Sequence, residues 1–78
     1  MQTPRYQMQT DFFTPGQANA LLWSAEGKTQ LEIATIYSRA PQTIQFYLVQ
    51  AKEKLGATTV AEAIALCFAK GFMSAKPI

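Results

Sequence analysis

The sequence predicts an all-α fold, a compact four-helix bundle, and three observations carry that prediction. Capping boxes, in which a Thr and a Gln or Glu three residues on satisfy each other's backbone donors, occur at Thr14–Gln17, Thr29–Glu32 and Thr59–Glu62. Gly27, Gly56 and Gly71 stand where helices must stop, because glycine accepts the left-handed conformation that ends a helix. Between these marks apolar residues recur at three- and four-residue spacing, and nowhere is the two-residue alternation of a strand sustained.

Taken in order, residues 1–12 are polar, hold Pro4 and lack a period, so they read as a flexible N-terminal arm. Thr14 caps the first helix, Pro15 takes its first position, and Phe13 precedes the cap as a staple. Ala18, Leu21, Leu22 and Ala25 form its apolar face, with Trp23 beside it. The second helix starts at Thr29 and runs to about Tyr37, with Ile33, Ala34 and Tyr37 as the expected buried set. Ser38, Arg39 and Ala40 make a turn, and Pro41 opens the third helix. The fourth follows Thr59, with Val60, Ala63, Ile64, Cys67 and Phe68 on its core face. Phe72 and Met73 fold back on the core, and residues 74–78 form a short tail.

The third helix, from Pro41 to the glycine stop at Gly56, is the unusual one. Ile44, Leu48, Ala51 and Leu55 make one inward stripe. The opposite face offers Gln42, Gln45, Phe46, Val49, Gln50 and Glu53, mostly amide and apolar with little charge. Its short separation from the second helix makes the pair a helix-turn-helix whose second member faces outward. Glutamine amides can pair in bidentate fashion with adenine in the major groove, and Phe46 and Val49 can touch thymine methyl groups. The same residues also suit an ordinary exposed helix, or an apolar patch for a protein partner. Lys28, Arg39, Lys52 and Lys54 are candidate phosphate contacts or else plain solvated cations.

Composition bounds the rest. Seventy-eight residues, 49% hydrophobic and 15% charged, make a single small folded domain for which partner association is expected. A net charge of +2 permits nucleic-acid binding without demanding it. With one cysteine, Cys67, and no histidine, neither an internal disulfide nor a zinc site of the usual kind can form, and no metal or cofactor is expected. Cys67 reads as a small core residue. No apolar run could span a membrane and no signal peptide is visible, which suits a cytoplasmic location. Paired carboxylates on one face and a phosphate-binding glycine loop are missing, so an enzyme is not expected.

Residues 13–73 resemble the C-terminal DNA-binding domain of LuxR-type regulators, and the quorum-sensing branch most closely. The resemblance is carried by Thr14-Pro15, Trp23 to Thr29, Glu32-Ile33-Ala34, Thr43-Ile44, Phe46, Leu48, Ala51, Lys54-Leu55-Gly56, Glu62 to Ala65 and Gly71-Phe72. It implies a helix-turn-helix fold whose third helix enters the major groove of double-stranded DNA. It also implies a homodimer, formed through the last helix, that meets a palindromic site. By position, Gln45, Phe46 and Val49 match base-facing sites, and Thr29, Gln30, Thr43, Tyr47, Gln50 and Lys54 match sites near the backbone. Ala61, Ala65, Leu66 and Ala69, on the side of the last helix away from its core face, are the implied dimer contacts. The family usually has glutamate at the position of Gln17 and an Asn-Arg pair at Thr59-Val60, and often a basic or small polar residue at Gln45, histidine at Tyr47 and asparagine at Gln50.

The resulting expectation is a sequence-specific transcriptional regulator, with another LuxR-type regulator or RNA polymerase as further partners. So short a chain leaves no room for an acyl-homoserine lactone pocket, and the opening Met1 and arm favour a natural single-domain protein. The alternative is an antiactivator that pairs with a full-length regulator, motivated by the low charge of the third helix and by Phe46 and Val49.

Overall fold

A computed structural model describes residues 3–77. Its elements in chain order are β1 (Tyr6–Met8), α1 (Pro15–Ala25), α2 (Gln30–Tyr37), α3 (Pro41–Leu55), α4 (Val60–Ala69) and β2 (Met73–Ala75). The four helices fall where the caps and glycines place them.

The local chemistry explains each boundary. Thr14 and Thr29 each accept from the backbone N–H three residues on, and Gln17 and Glu32 return the bond to the cap N–H, so both boxes are complete. The third box is only half formed. Thr59 accepts from the Glu62 N–H, but the Glu62 carboxylate reaches past it to the Thr58 N–H at 2.7 Å and the Thr58 hydroxyl at 3.1 Å. Two adjacent threonines offer the carboxylate a choice that spacing does not resolve. Between α2 and α3, Ser38 takes the left-handed conformation at φ 52°, a role usually left to glycine, and the Arg39 N–H closes the turn on the Ala34 carbonyl at 2.9 Å.

α1 is the central element and packs against the other three helices and β1. It therefore buries more than one stripe: Gln17, Ala20, Leu21, Leu22 and Trp23 are all inside. Ile33 and Ala34 of α2, Ile44, Leu48 and Ala51 of α3, and Ala63 and Cys67 of α4 complete the core with Phe13 and Met73. Cys67 is fully buried, and that burial pushes its thiol pKa up.

Two side chains expected inside are not. Tyr37 is 36% exposed because its hydroxyl is used at the rim, accepting the Trp23 indole N–H at 2.8 Å. Phe68 is 40% exposed because the short α4 inserts only Ala63 and Cys67 fully. Phe68 packs instead edge-on against Tyr6, with ring centroids 5.5 Å apart.

The all-α fold carries one small addition at its termini. Arm and tail pair with each other as an antiparallel ribbon, Tyr6 opposite Ala75, Gln7 opposite Ser74 and Met8 opposite Met73. Flanking backbone bonds extend it, Gln9 N–H to the Phe72 carbonyl at 2.7 Å and Lys76 N–H to the Arg5 carbonyl at 2.8 Å. Arg5 also binds the Glu26 carboxylate at the end of α1 through its backbone N–H and its Nε, each at 3.1 Å. A three-residue strand is too short to announce itself by alternation, and its partner lies at the other end of the chain. Met1, Gln2 and Ile78, the ends of the expected arm and tail, lie outside the described residues.

Candidate nucleic-acid interface

α3 separates its residues cleanly. With Ile44, Leu48 and Ala51 turned to α1 and α2, helical geometry places Gln42, Gln45, Phe46, Val49 and Glu53 on the opposite side, and all five are exposed. Gln42, Gln45, Phe46 and Val49 line a shallow surface groove together. Phe46 is 58% exposed, a large ring offered to solvent.

The expected backbone-facing residues divide into two groups. Thr29 and Gln30, at the start of α2, are exposed, while Lys28 just before it and Thr43 in the first turn of α3 are half-buried. The Thr29 hydroxyl is already occupied by the Glu32 N–H at 3.2 Å, and the Glu32 carboxylate holds the Thr29 N–H at 2.9 Å. The Thr29 backbone N–H, then its hydroxyl, hold the Glu32 pKa below the ordinary carboxylate range, with Lys28 adding a smaller pull in the same direction. One carboxylate thus stands at the foot of α2.

The second group, Tyr47, Gln50 and Lys54, lies on the flank of α3 and is engaged inside the chain. Tyr47 is half-buried with its ring tip against Gly16. It also walls a cleft of about 240 Å³ between α1, the end of α2 and the start of α3. The Gln50 carbonyl accepts the Gln17 amide N–H at 3.2 Å. The Lys54 ammonium donates to the Phe12 carbonyl at 3.0 Å and stands 5.6 Å and 5.9 Å from the ring centroids of Phe12 and Phe13. The resemblance sets these residues near the DNA backbone, and their partners inside the chain are Gly16 and Gln17 of α1 and Phe12 just before it. Gln17 was legible only as a capping residue, and nothing local marks Gly16 or Phe12 as partners of α3.

On α4, Ala61, Ala65 and Ala69 are exposed, with Phe68 beside them. Leu66 is half-buried on one flank rather than on that outer face. Among the described residues no group of three or more His, Cys, Asp or Glu side chains is placed to hold a metal, and no helix is long and apolar enough to cross a membrane.

Comparison with known proteins fits this geometry. Residues 11–67 match the model of the family described as bacterial regulatory proteins, luxR family. The chain belongs to the LuxR family. The match covers α1, α2, α3 and most of α4, and the family is one of transcription regulators rather than an enzyme class. Over 61 residues the chain is 38% identical to the transcriptional activator protein VanR of Vibrio anguillarum, covering 78% of this chain and 25% of that one. Over 60 residues it is 35% identical to the quorum sensing-dependent transcriptional regulator RpaR of Rhodopseudomonas palustris, covering 77% and 25%. Over the same length it is 40% identical to the quorum sensing-dependent regulator VjbR of Brucella ovis, covering 77% and 23%. The chain thus spans about a quarter of the length of these LuxR-family relatives.

Proposed function

We propose that this chain is a DNA-binding transcriptional regulator that lays the outer face of α3 in the major groove of a double-stranded site. The observation that carries the reading is the shared exposure of Gln42, Gln45, Phe46 and Val49 on a helix whose opposite face is locked in the core. Gln42 and Gln45 have both ends of their amides free of partners among the described residues, as bidentate adenine pairing requires. Phe46 and Val49 supply the apolar contact that a thymine methyl group takes. Lys28, Thr29, Gln30 and Thr43 border this face and serve the sugar-phosphate backbone, whose contacts fix register rather than sequence. Lys54 can join them while keeping the Phe12 carbonyl, because its exposed ammonium has two further N–H donors.

Two copies joined through Ala61, Ala65 and Ala69, with Leu66 at the margin, would present two α3 helices to a palindrome. A DNA target of this kind places the protein in the bacterial cytoplasm, with RNA polymerase as a further partner of the bound dimer.

In vitro selection from random duplexes, followed by footprinting, tests this. A palindromic site whose affinity falls steeply with salt is expected. Gln45→Ala should weaken that site by about 1–3 kcal/mol and relax preference at one base pair. An unchanged affinity removes Gln45 from the base-reading set.

A second reading, the antiactivator, is favoured by the exposed Phe46 and Val49 on an outer α3 face of mostly amide and apolar residues. Capture of a full-length LuxR-type regulator, without binding to any duplex at low salt, would support it over the first.

A further inference from the structure

The amides of Gln17 and Gln50 have a fixed polarity, and a single backbone group sets it. A backbone N–H can only donate, and that of Thr14 donates to the Gln17 side chain at 3.2 Å. The end of the Gln17 amide that meets Thr14 is therefore its carbonyl oxygen, and the end that meets Gln50 is its NH2. An NH2 can only donate, so the Gln50 atom 3.2 Å away is the carbonyl oxygen. Gln17 is 4% exposed and bonded at both ends, so it cannot readily turn over. The Gln50 NH2 is left with no acceptor among the described residues. No buried side-chain nitrogen or oxygen there lacks a partner, so this NH2 is open to solvent.

We infer that Gln17 is a positioning residue that presents Gln50 to DNA as a hydrogen-bond donor only. The inference rests on the DNA-binding reading above. An amide that pairs with adenine uses both ends, accepting from the N6 amino group and donating to N7. Gln50 has one end to give and is barred from that contact, unlike Gln42 and Gln45. Its donor suits an acceptor oxygen, either on a phosphate or on a base edge. Its place on the α3 flank beside α1, off the centre of the exposed face, assigns it the phosphate. Gln17 itself touches no DNA and acts through the orientation it imposes.

The test uses the full chain and the duplex recovered by in vitro selection. Gln17→Glu keeps an acceptor for the Thr14 N–H, so the cap survives, as it does with Glu32 at the equivalent position of α2. The second carboxylate oxygen can only accept, so Gln50 must turn its NH2 inward and its carbonyl outward. Affinity should fall roughly 5- to 30-fold, the range one lost contact of this kind spans. In a Gln50→Ala background the same change should cost only the small effect of the added charge. An equal loss in both backgrounds overturns the inference. Gln50→Ala should weaken duplexes of different sequence alike, and a methylphosphonate at one linkage should reproduce its loss. A loss confined to one thymine or guanine moves the donor to a base edge. A loss that depends on the N6 amino group of one adenine overturns the donor-only assignment.

Side-chain amide exchange in the free protein supplies a readout without DNA. The Gln50 NH2 should exchange rapidly with water in the unmodified chain and slowly in Gln17→Glu, and slow exchange in both refutes the assigned polarity. Recovery of no duplex from the selection would sink the DNA reading, while the exchange result would still decide the Gln17–Gln50 geometry.

Discussion

The tip of the Tyr47 ring meets the backbone of Gly16 so closely that a Cβ built at Gly16 would lie 2.6 Å from the ring's ζ carbon. α3 is therefore seated on α1 through a contact that a Cβ at that place would force to shift. The backbone of Gly16 is ordinary helix, so the requirement comes from the neighbour and not from φ.

This contact predicts a change of sign. Gly16→Ala alone should lower stability by about 1–3 kcal/mol, the usual penalty for forcing an extra carbon into packed structure. In a Tyr47→Ala background the same substitution should raise stability by up to ~1 kcal/mol, because alanine is the better helix former. Urea unfolding of the four proteins of this cycle measures both. Equal effects in the two backgrounds would mean that Tyr47 does not rest on Gly16 in solution.

The ribbon between the chain ends makes a second prediction. Tyr6 stands edge-on to Phe68 and belongs to a strand paired with the segment after α4. Tyr6→Ala should cost about 1 kcal/mol in urea unfolding, the size of an aromatic pair with partial burial. A free arm would give no change, and hydrogen exchange of the Gln9 N–H would separate the cases independently.

Acid should weaken the fold through Glu32 and Glu62. Hydrogen bonds from the backbone N–H, then the hydroxyl, of Thr29 and of Thr58 respectively hold both carboxyls below their ordinary range. A native pKa below the unfolded one means that the unfolded chain binds the proton more readily. The stabilisation is thus fully present above the unfolded value and is lost as pH falls through the native one. The urea midpoint should decline as pH drops through the carboxylate range. Glu32→Gln with Glu62→Gln should flatten that decline while keeping the bonds, since an amide oxygen also accepts, as Gln17 does in the box that Glu32 shares in form and as Thr58 requires of residue 62. An unchanged slope would assign the acid sensitivity elsewhere.

The proposed dimer can be tested at the centre of the exposed face of α4. Ala65→Glu should yield a folded monomer in sedimentation, because a carboxylate there would meet its own copy across the two-fold axis. Ala65 is the better probe than the half-buried Leu66, where a charge would also disturb the fold. A persistent dimer of Ala65→Glu would move the contact off this face.

The sequence by itself determined the four helices, because caps, stop glycines and apolar spacing are short-range signals that act within a turn or two of chain. It also determined which side of α3 is buried, since Ile44, Leu48 and Ala51 repeat with the helix, and so which residues face outward. The tertiary structure alone decided what that outward flank is bound to. The resemblance implies only that Gln50, Lys54 and Tyr47 lie near the DNA backbone, whereas the fold sets them against Gln17, Phe12 and Gly16. It also decided that the two chain ends form a ribbon and that Glu62 turns to Thr58. The physical reason is common to all of these. Each depends on a partner brought near by packing, or on a choice between equivalent neighbours, and neither leaves a period or a spacing in the chain.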